Sequence, residues 1–161
     1  MIDDLIDMVR SVYGEGFVPF HRPVFGGSER QDLVDCIDSN FVSSVGEKVI
    51  EMERRVAAFA GASHGVGVVN GTNALQVALR LVGVERDTEV VTQALTFVAT
   101  CNAMAYLGAR PVFVDVDRST LGLSPDALRA FLDEYGERRD DGCYNRSTGR
   151  RIAACQPMHT F

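Results

Sequence analysis

The stretch that decides the fold covers residues 68–117 and reads VVNGTNALQVALRLVGVERDTEVVTQALTFVATCNAMAYLGARPVFVDVD. Short apolar runs typical of buried strands alternate in it with segments of helical spacing. Together with the residues just before it, the stretch predicts strands over 65–69, 88–92 and 111–116, and helices over 72–82 and 97–107. Strands and helices that alternate at this interval predict an α/β fold, a mostly parallel sheet with right-handed crossovers and helices on both faces.

The flanking segments predict further elements. Apolar spacing indicates helices over 2–13, over about 29–39, and from about residue 47 to a stop at Gly61. Ser28, with Gln31 three residues later, has the form of a capping box. Ser124 and Pro125 predict the start of another helix, residues 137–151 a loop or exposed hairpin, and IAACQPMH a last strand. The expected domains are an amino-terminal helix and lead-in segment over 1–25 and an α/β domain over 26–161.

The composition excludes several classes of protein. The 161 residues are 46% hydrophobic and 24% charged, which is not a disordered composition. No apolar run approaches the roughly 20 residues that span a membrane, and the acidic amino terminus does not resemble a secretory signal, so we expect a cytoplasmic protein. A net charge of −6 argues against a nucleic-acid partner. The cysteines and histidines lack metal-site spacing, so no metal is expected.

The first candidate binding feature is the turn after the predicted strand 65–69. Ligands of open α/β sheets bind at the carboxyl ends of strands, where loops lead into helices. The residues at this place are Asn70, Gly71, Thr72 and Asn73. Gly71 allows close backbone approach, Thr72 adds a hydroxyl, and the helix amides from Ala74 onward favour a phosphate. The simpler alternative is that Thr72 only caps the helix and Gly71 only makes a turn.

The second candidate feature is Phe97, at the start of the next predicted helix. It again follows a strand, and an aromatic ring there can lie flat against a planar ligand ring. The alternative for an isolated phenylalanine is ordinary core packing. A nucleotide-binding Rossmann-like domain is a competing interpretation of the whole pattern. It is disfavoured because GVGVVNG has Asn70 where the dinucleotide fingerprint needs its third glycine.

Several linked motifs together resemble one family. The segments GVVNGTNALQVAL, TQALTFVATCNAMAYLGARPVFVDVDRSTLGLSPDAL and CYNRSTGRRIAACQPMHTF are similar to the DegT/DnrJ/EryC1/StrS sugar aminotransferases. The resemblance is strongest to those that act in legionaminic-acid-type or related surface-polysaccharide pathways, and it extends over nearly the whole chain from about Pro19. It implies the amino-terminal part of the large domain of a fold type I PLP-dependent aminotransferase, incomplete over 26–161.

The resemblance also implies roles for individual residues. The cofactor would be pyridoxal 5'-phosphate (PLP), with its phosphate held at Gly71, Thr72 and Asn73 and its ring stacked on Phe97. The loop residues Ser43, Ser44 and Gly46 would line the sugar pocket, while Asp115 and Asp117 are interpreted as structural strand-end residues. The expected reaction transfers an amino group from an amino acid, probably glutamate, to a keto group of a nucleotide-activated deoxy sugar, in a cytoplasmic homodimer.

No catalytic residue is assigned within this chain. Family members use a Schiff-base lysine and an acid that pairs with the pyridine nitrogen, and both follow the segment that ends near HTF. Lys48 is the single lysine among the 16 basic residues, and it lies on the side that resembles the substrate entrance. We therefore expect the 161-residue chain alone to be inactive, and at best loosely folded or dependent on a partner. A non-catalytic fragment or phosphate-binding module remains the alternative.

Overall fold

The computed structural model describes residues 2–19 and 21–159. The chain divides into two compact units, Met1–Gly67 and Val68–Phe161. The division that the sequence suggests between residues 25 and 26 stays a prediction. No helix in the described part of the chain is both long and apolar enough to cross a membrane.

The unit Met1–Gly67 contains three helices, α1 (Ile2–Tyr13), α2 (Glu29–Asp38) and α3 (Glu47–Ala60). All three agree with the predicted ranges. The third ends as expected, because Gly61 adopts the left-handed conformation (φ 67°) that a residue with a side chain rarely tolerates. The amide of Ala62 then donates to the carbonyl of Ala57 at 2.9 Å and closes the helix end.

The predicted capping box at the start of α2 is wrong. Ser28 does occupy the N-cap position, but its side chain makes no cap hydrogen bond. Its hydroxyl instead donates to Asp32 at 2.7 Å, and Gln31 donates to Asp35 at 2.8 Å. Carboxylates one helical turn away are charged acceptors and make the stronger hydrogen bonds, so they replace the reciprocal contact of the motif.

This unit buries very little apolar surface. Among the described residues of its three helices, Ala57 alone is buried. Large apolar side chains stand in solvent instead, including Phe17 and Phe59, which are 92% and 96% exposed. Apolar surface left in water contributes nothing to folding. The exposure is what we expect of a segment that needs further protein surface to be stable.

The predicted strand over 65–69 does not form. No strand among the described residues pairs with it, and the side chains of Val66 and Val69 are more than 80% exposed. A strand is stable only when a neighbour accepts and donates its backbone hydrogen bonds. Here the Gly67 amide finds a side chain, the carboxylate of Glu53, at 2.7 Å.

The unit Val68–Phe161 is built on a five-stranded sheet. Its strands are β1 (Glu89–Gln93), β2 (Arg110–Val114), β3 (Gly136–Arg139), β4 (Gly142–Asn145) and β5 (Arg151–Gln156), in the order β2-β1-β5-β4-β3. The central strand β1 pairs in parallel with both β2 and β5. Only β4 runs against the others, since it pairs antiparallel with β3 and with β5. The mostly parallel sheet expected from the sequence is present.

The core of this unit lies where two helices pack on the sheet. Helix α4 (Gly71–Leu81) and helix α5 (Val98–Tyr106) contact each other. Their core side chains Leu79, Ala103 and Met104 cluster with Val90 of the sheet, beside the loop residues Val84 and Ala109. Every residue of β1 is buried, so both faces of this strand are covered.

The last part of the chain also follows the prediction. Residues 137–151 contain the antiparallel hairpin of β3 and β4 and lead into β5. Helix α6 (Pro125–Tyr135) precedes them, with Pro125 in its first turn, and the hydroxyl of Ser124 accepts the Ala127 amide at 3.2 Å. This satisfies one of the amides that have no partner within the helix.

We expect Ser124→Ala to lower the free energy of unfolding by about 1 kcal/mol, because a cap hydrogen bond is lost. Urea denaturation measures the difference. Ser28→Ala is a control for loss of a serine hydroxyl at an N-cap position, since the Ser28 hydroxyl bonds the carboxylate of Asp32 and no backbone amide of α2. A Ser124→Ala variant as stable as the unmodified chain would show that the Ser124 cap does not stabilise the fold.

Candidate functional site

The turn at the start of α4 presents two free backbone amides. The cap residue is Asn70, whose side-chain oxygen accepts the Asn73 amide at 2.9 Å and whose carbonyl accepts the Ala74 amide at 3.1 Å. The alternative that Thr72 caps this helix is therefore wrong, and so is the expectation that amides from Ala74 onward are available. The amides of Gly71 and Thr72 find no acceptor among the described residues, and they lie at the positive end of an 11-residue helix.

The space around the Cβ position of Gly71 is open. A Cβ built on this glycine would meet no heavy atom within 4 Å, and its φ does not lie in the left-handed region. The local backbone therefore does not require a glycine. Two free amides at a helix amino terminus, one of them on a glycine with no side chain to cover the turn, have the form of an anion site that needs no lysine or arginine.

Phe97 stands exposed at the start of α5. It is the N-cap residue of that helix, with extended backbone, and its side chain is 76% exposed. The alternative that Phe97 belongs to the core is therefore wrong. Its carbonyl accepts the Thr100 amide at 3.0 Å, which fixes the backbone while leaving the ring free. Because α4 and α5 contact each other, the free amides and the ring belong to one packed helix pair.

One buried residue at this edge of the sheet was not singled out from the sequence. Gln93 ends β1, is fully buried, and hydrogen-bonds the loops that follow β1, β2 and β5. A polar residue at the end of an apolar strand run is usually exposed. The one sequence signal for Gln93 is its position, because the polar pair TQ directly precedes the loop that carries Phe97.

Asp117 shapes the loop after β2. One of its carboxylate oxygens accepts hydrogen bonds from the Ser119 amide at 2.8 Å and from the Thr120 amide at 3.0 Å. The same oxygen accepts a hydrogen bond from the Ser119 hydroxyl. These hydrogen bonds, with that of the Ser119 hydroxyl the largest, lower the pKa of Asp117. The carboxylate is engaged in its own turn, which agrees with a structural role. The turn lines a cavity of about 330 Å³ together with Met158 and His159.

The predicted sugar-pocket residues lie in the unit Met1–Gly67. A groove of about 640 Å³ is lined there by the end of α2, the following loop and the start of α3, and Ser43 and Gly46 contribute to it. Ser44 is exposed and does not line the groove. Gly46 is constrained, because a Cβ there would lie 3.2 Å from the Cβ of Phe41.

Lys48 also lines this groove, but its amine is paired. It donates a hydrogen bond to the carboxylate of Asp32, and this contact raises the pKa of Lys48 above its ordinary value and lowers that of Asp32. An amine attacks a carbonyl only in its neutral form, and the ion pair favours the charged form. The structure therefore gives Lys48 no feature of a covalent catalyst.

The described residues offer no metal site, because no three His, Cys, Asp or Glu side chains among them converge. Cys36, Cys101, Cys143 and Cys155 are free thiols.

Comparisons with known proteins identify the family of this chain. Residues 24–137 match the family model described as the DegT/DnrJ/EryC1/StrS aminotransferase family. The chain belongs to this family. The matched range includes the α4 turn, Gln93, Phe97 and the loop that carries Ser43 and Gly46. The family predicted from the sequence is confirmed.

Two curated members of the DegT/DnrJ/EryC1/StrS family illustrate the similarity. The spore coat polysaccharide biosynthesis protein SpsC of Bacillus subtilis is 40% identical over 71% of this chain and 29% of its own length. A GDP-perosamine synthase of Caulobacter vibrioides is 37% identical over 68% of this chain and 30% of its own length. The chain thus spans about 30% of the length of these curated relatives.

Solved structures of aminotransferases share the fold. 3-Amino-5-hydroxybenzoic acid (AHBA) synthase superposes with a TM-score of 0.69 at 33% identity, covering 87% of this chain and 33% of that protein. The PLP form of the sugar aminotransferase Spr1654 of Streptococcus pneumoniae superposes with a TM-score of 0.61 at 30% identity. The superposition covers 70% of this chain and 29% of that protein. The predicted fold class, part of the large domain of a fold type I aminotransferase, is confirmed.

Proposed function

We propose that this chain forms the phosphate-holding and ring-stacking part of a PLP-dependent sugar aminotransferase. The observation that carries the proposal is the pairing of free amides at Gly71 and Thr72 with the exposed ring of Phe97, on two helices that contact each other. A phosphate anion and a flat aromatic ring are the two ends of one ligand, PLP. Family membership and a relative solved in its PLP form support the same ligand.

Each residue has a defined task in this proposal. The amides of Gly71 and Thr72 donate to phosphate oxygens, and the Thr72 hydroxyl adds a third donor. Asn73 holds the turn through the bond between its amide and Asn70. Phe97 covers one face of the pyridine ring and keeps water from it. When bound, PLP supplies an electron sink for chemistry at the carbon that carries the amino group.

The substrate side is proposed at the groove of the unit Met1–Gly67. Ser43 and Gly46 line this groove and would contact a nucleotide-activated keto sugar, with Ser44 next to Ser43 in the same loop. An amino acid such as glutamate would be the donor. The names of the relatives, which include a GDP-perosamine synthase and a polysaccharide biosynthesis protein, support a sugar nucleotide. We further propose a cytoplasmic homodimer, because the exposed apolar side chains of this unit favour burial against more protein.

A non-catalytic phosphate-binding module is the second candidate. The observation that favours it is the ion pair of Lys48 with Asp32, which leaves the chain without a free lysine. Both candidates predict noncovalent binding of PLP by this chain. They differ only in whether a longer polypeptide that contains this sequence, at the length of the relatives, converts keto-sugar nucleotide and glutamate to an amino sugar. Absence of product across several sugar nucleotides would favour the binding module.

Titration of the isotope-labelled chain tests the cofactor site directly. PLP should shift the amide signals of Gly71 and Thr72 and the ring signals of Phe97, whereas inorganic phosphate should shift only the amides. Phe97→Leu should weaken PLP binding about two- to tenfold and leave phosphate binding unchanged, because stacking is worth about 0.5–1.5 kcal/mol. After borohydride reduction, peptide mass analysis should find Lys48 unmodified. Shifts elsewhere, or a stoichiometric adduct on Lys48, would contradict the proposal.

A further inference from the structure

The side-chain amide of Gln93 lies at the junction of three loops. Its nitrogen donates to the carbonyl of Leu95 and to the carbonyl of Leu121, both at 3.0 Å. Its oxygen accepts the Met158 amide at 3.2 Å. These partners follow β1, β2 and β5, the three adjacent strands of the sheet that pair in parallel. One fully buried side chain therefore ties together the carboxyl ends of these strands.

Only an amide side chain fits these partners. Two carbonyl oxygens require two N–H donors on one atom, and the Met158 amide requires an acceptor beside them. A carboxylate would face both carbonyls with a negative oxygen, and an apolar side chain would remove all three hydrogen bonds at once. The same pattern fixes the orientation of the amide, since a flipped group would place its oxygen against the two carbonyls.

The first of these loops leads directly to Phe97. The carbonyl of Leu95 is held by Gln93, and the next residue, Thr96, donates from its amide to the carbonyl of Ala94 at 3.0 Å. The Thr96 hydroxyl contacts Thr100 at 2.8 Å and the sulfur of Met158 at 3.2 Å. The ring of Phe97 is exposed and has little packing to hold it, so the backbone of this loop sets where the ring stands.

We propose that Gln93 is a positioning residue for the cofactor ring. It sets the loop between β1 and α5, and through that loop the place of Phe97 relative to the amides of the α4 turn. This inference rests on the proposed PLP site. It predicts that Gln93 matters for the ring of the ligand and not for its phosphate, because no hydrogen bond joins Gln93 to the α4 turn in the described structure.

The test compares two ligands in Gln93→Met, which keeps the length of the side chain and removes its hydrogen bonds. PLP affinity should fall about fivefold, within the loss that removal of the stacking ring itself causes, and the shift of the Phe97 ring signals on PLP addition should be lost. Affinity for inorganic phosphate, read from the Gly71 and Thr72 amides, should change less than twofold. A milder variant, Thr96→Val, removes the contacts of the Thr96 hydroxyl with Thr100 and Met158 in the same loop. It should lower the affinity for PLP by about threefold.

Val84→Ala is the control for general destabilisation, since Val84 is fully buried in the core and touches none of the three loops through hydrogen bonds. It should leave the ratio of PLP to phosphate affinity unchanged. The proposal is overturned if Val84→Ala changes this ratio as much as Gln93→Met, or if neither Gln93→Met nor Thr96→Val changes it. If Gln93→Met does not fold, the result for Thr96→Val decides. Failure of the unmodified chain to shift at Thr72 and Phe97 would refute the cofactor site itself.

Discussion

Replacing Gly71 by glutamate should reduce the affinity for both PLP and inorganic phosphate more than tenfold while leaving the protein folded. The new side chain would extend into the open space at the Cβ position of Gly71 and bring a negative charge close to a phosphate bound at the Gly71 and Thr72 amides. Stability should not suffer, because a Cβ at Gly71 meets no heavy atom within 4 Å. An acidic residue in the first turn of a helix usually contributes about 0.3–1 kcal/mol of stability. Isothermal titration and urea denaturation measure the two effects separately.

Gly26→Glu is the matched control for this variant. Gly26 also has open space around its Cβ position and no left-handed φ, but it does not lie at a helix amino terminus. It should leave both affinities unchanged. Gly71→Ala should give a smaller loss than Gly71→Glu, because it adds bulk without charge. Equal binding by the unmodified chain and Gly71→Glu would place any phosphate elsewhere in the protein.

The local pattern predicted the helices and the parallel strands well, but its prediction of a strand over 65–69 was wrong. GVGVV has the apolar content of a buried strand, and whether such a segment forms one depends on a neighbour that the segment itself does not encode. Among the described residues that neighbour is absent, and the amide of Gly67 bonds to Glu53 instead. Helix ranges were easier to predict, because helical hydrogen bonds lie within the segment.

The phosphate turn was predicted in place but not in detail. Asn70, Thr72 and Asn73 are all residues that can cap a helix, and the sequence does not say which of them does so. The choice depends on where the helix begins, and it decides which amides remain free. With Asn70 as the cap, the Asn73 amide is used and the Gly71 and Thr72 amides are left. The candidate site therefore became smaller and more definite than the sequence implied.

The polar ends of β1 show a clear limit of sequence reasoning. The run EVVTQ reads as a short apolar strand with polar residues at its edges, yet all five residues are buried. The partners of Gln93 include Leu121 and Met158, which are 28 and 65 residues away in the chain. From the pattern of one segment, a polar side chain such as Gln93 is expected to be exposed to water. That pattern carries no information about hydrogen-bond partners from distant loops, which replace water when the side chain is buried.

Glu89, at the other end of β1, is a buried carboxylate held by neutral donors. It is 2% exposed and accepts hydrogen bonds from the side chains of Asn145 and Thr148, both at 2.8 Å. Arg150 approaches one oxygen at 4.0 Å from a partly exposed position. These contacts connect the parallel part of the sheet to the hairpin of β3 and β4. A buried charge is tolerated only while such contacts replace its lost water.

Asn145→Leu should therefore lower the free energy of unfolding by about 3 kcal/mol, because it leaves one oxygen of a buried carboxylate without a donor. It also removes the acceptor for the amide of Ser147 at 3.0 Å. Urea denaturation measures the loss. Thr148→Val should cost about 1 kcal/mol, since Thr148 is exposed and water can reach the vacated oxygen. A loss in Asn145→Leu no larger than that in Thr148→Val would mean that Glu89 is not effectively buried.

The two ends of β1 should behave independently in binding. Asn145 and Glu89 lie at the amino end of the strand, whereas Gln93 and the loop to Phe97 lie at its carboxyl end. Asn145→Leu should lower stability without changing the affinity of the folded protein for PLP, while Gln93→Met changes that affinity. If Asn145→Leu also weakens PLP binding under conditions where the protein is fully folded, the strand transmits strain from one end to the other, and loop positioning does not depend on Gln93 alone.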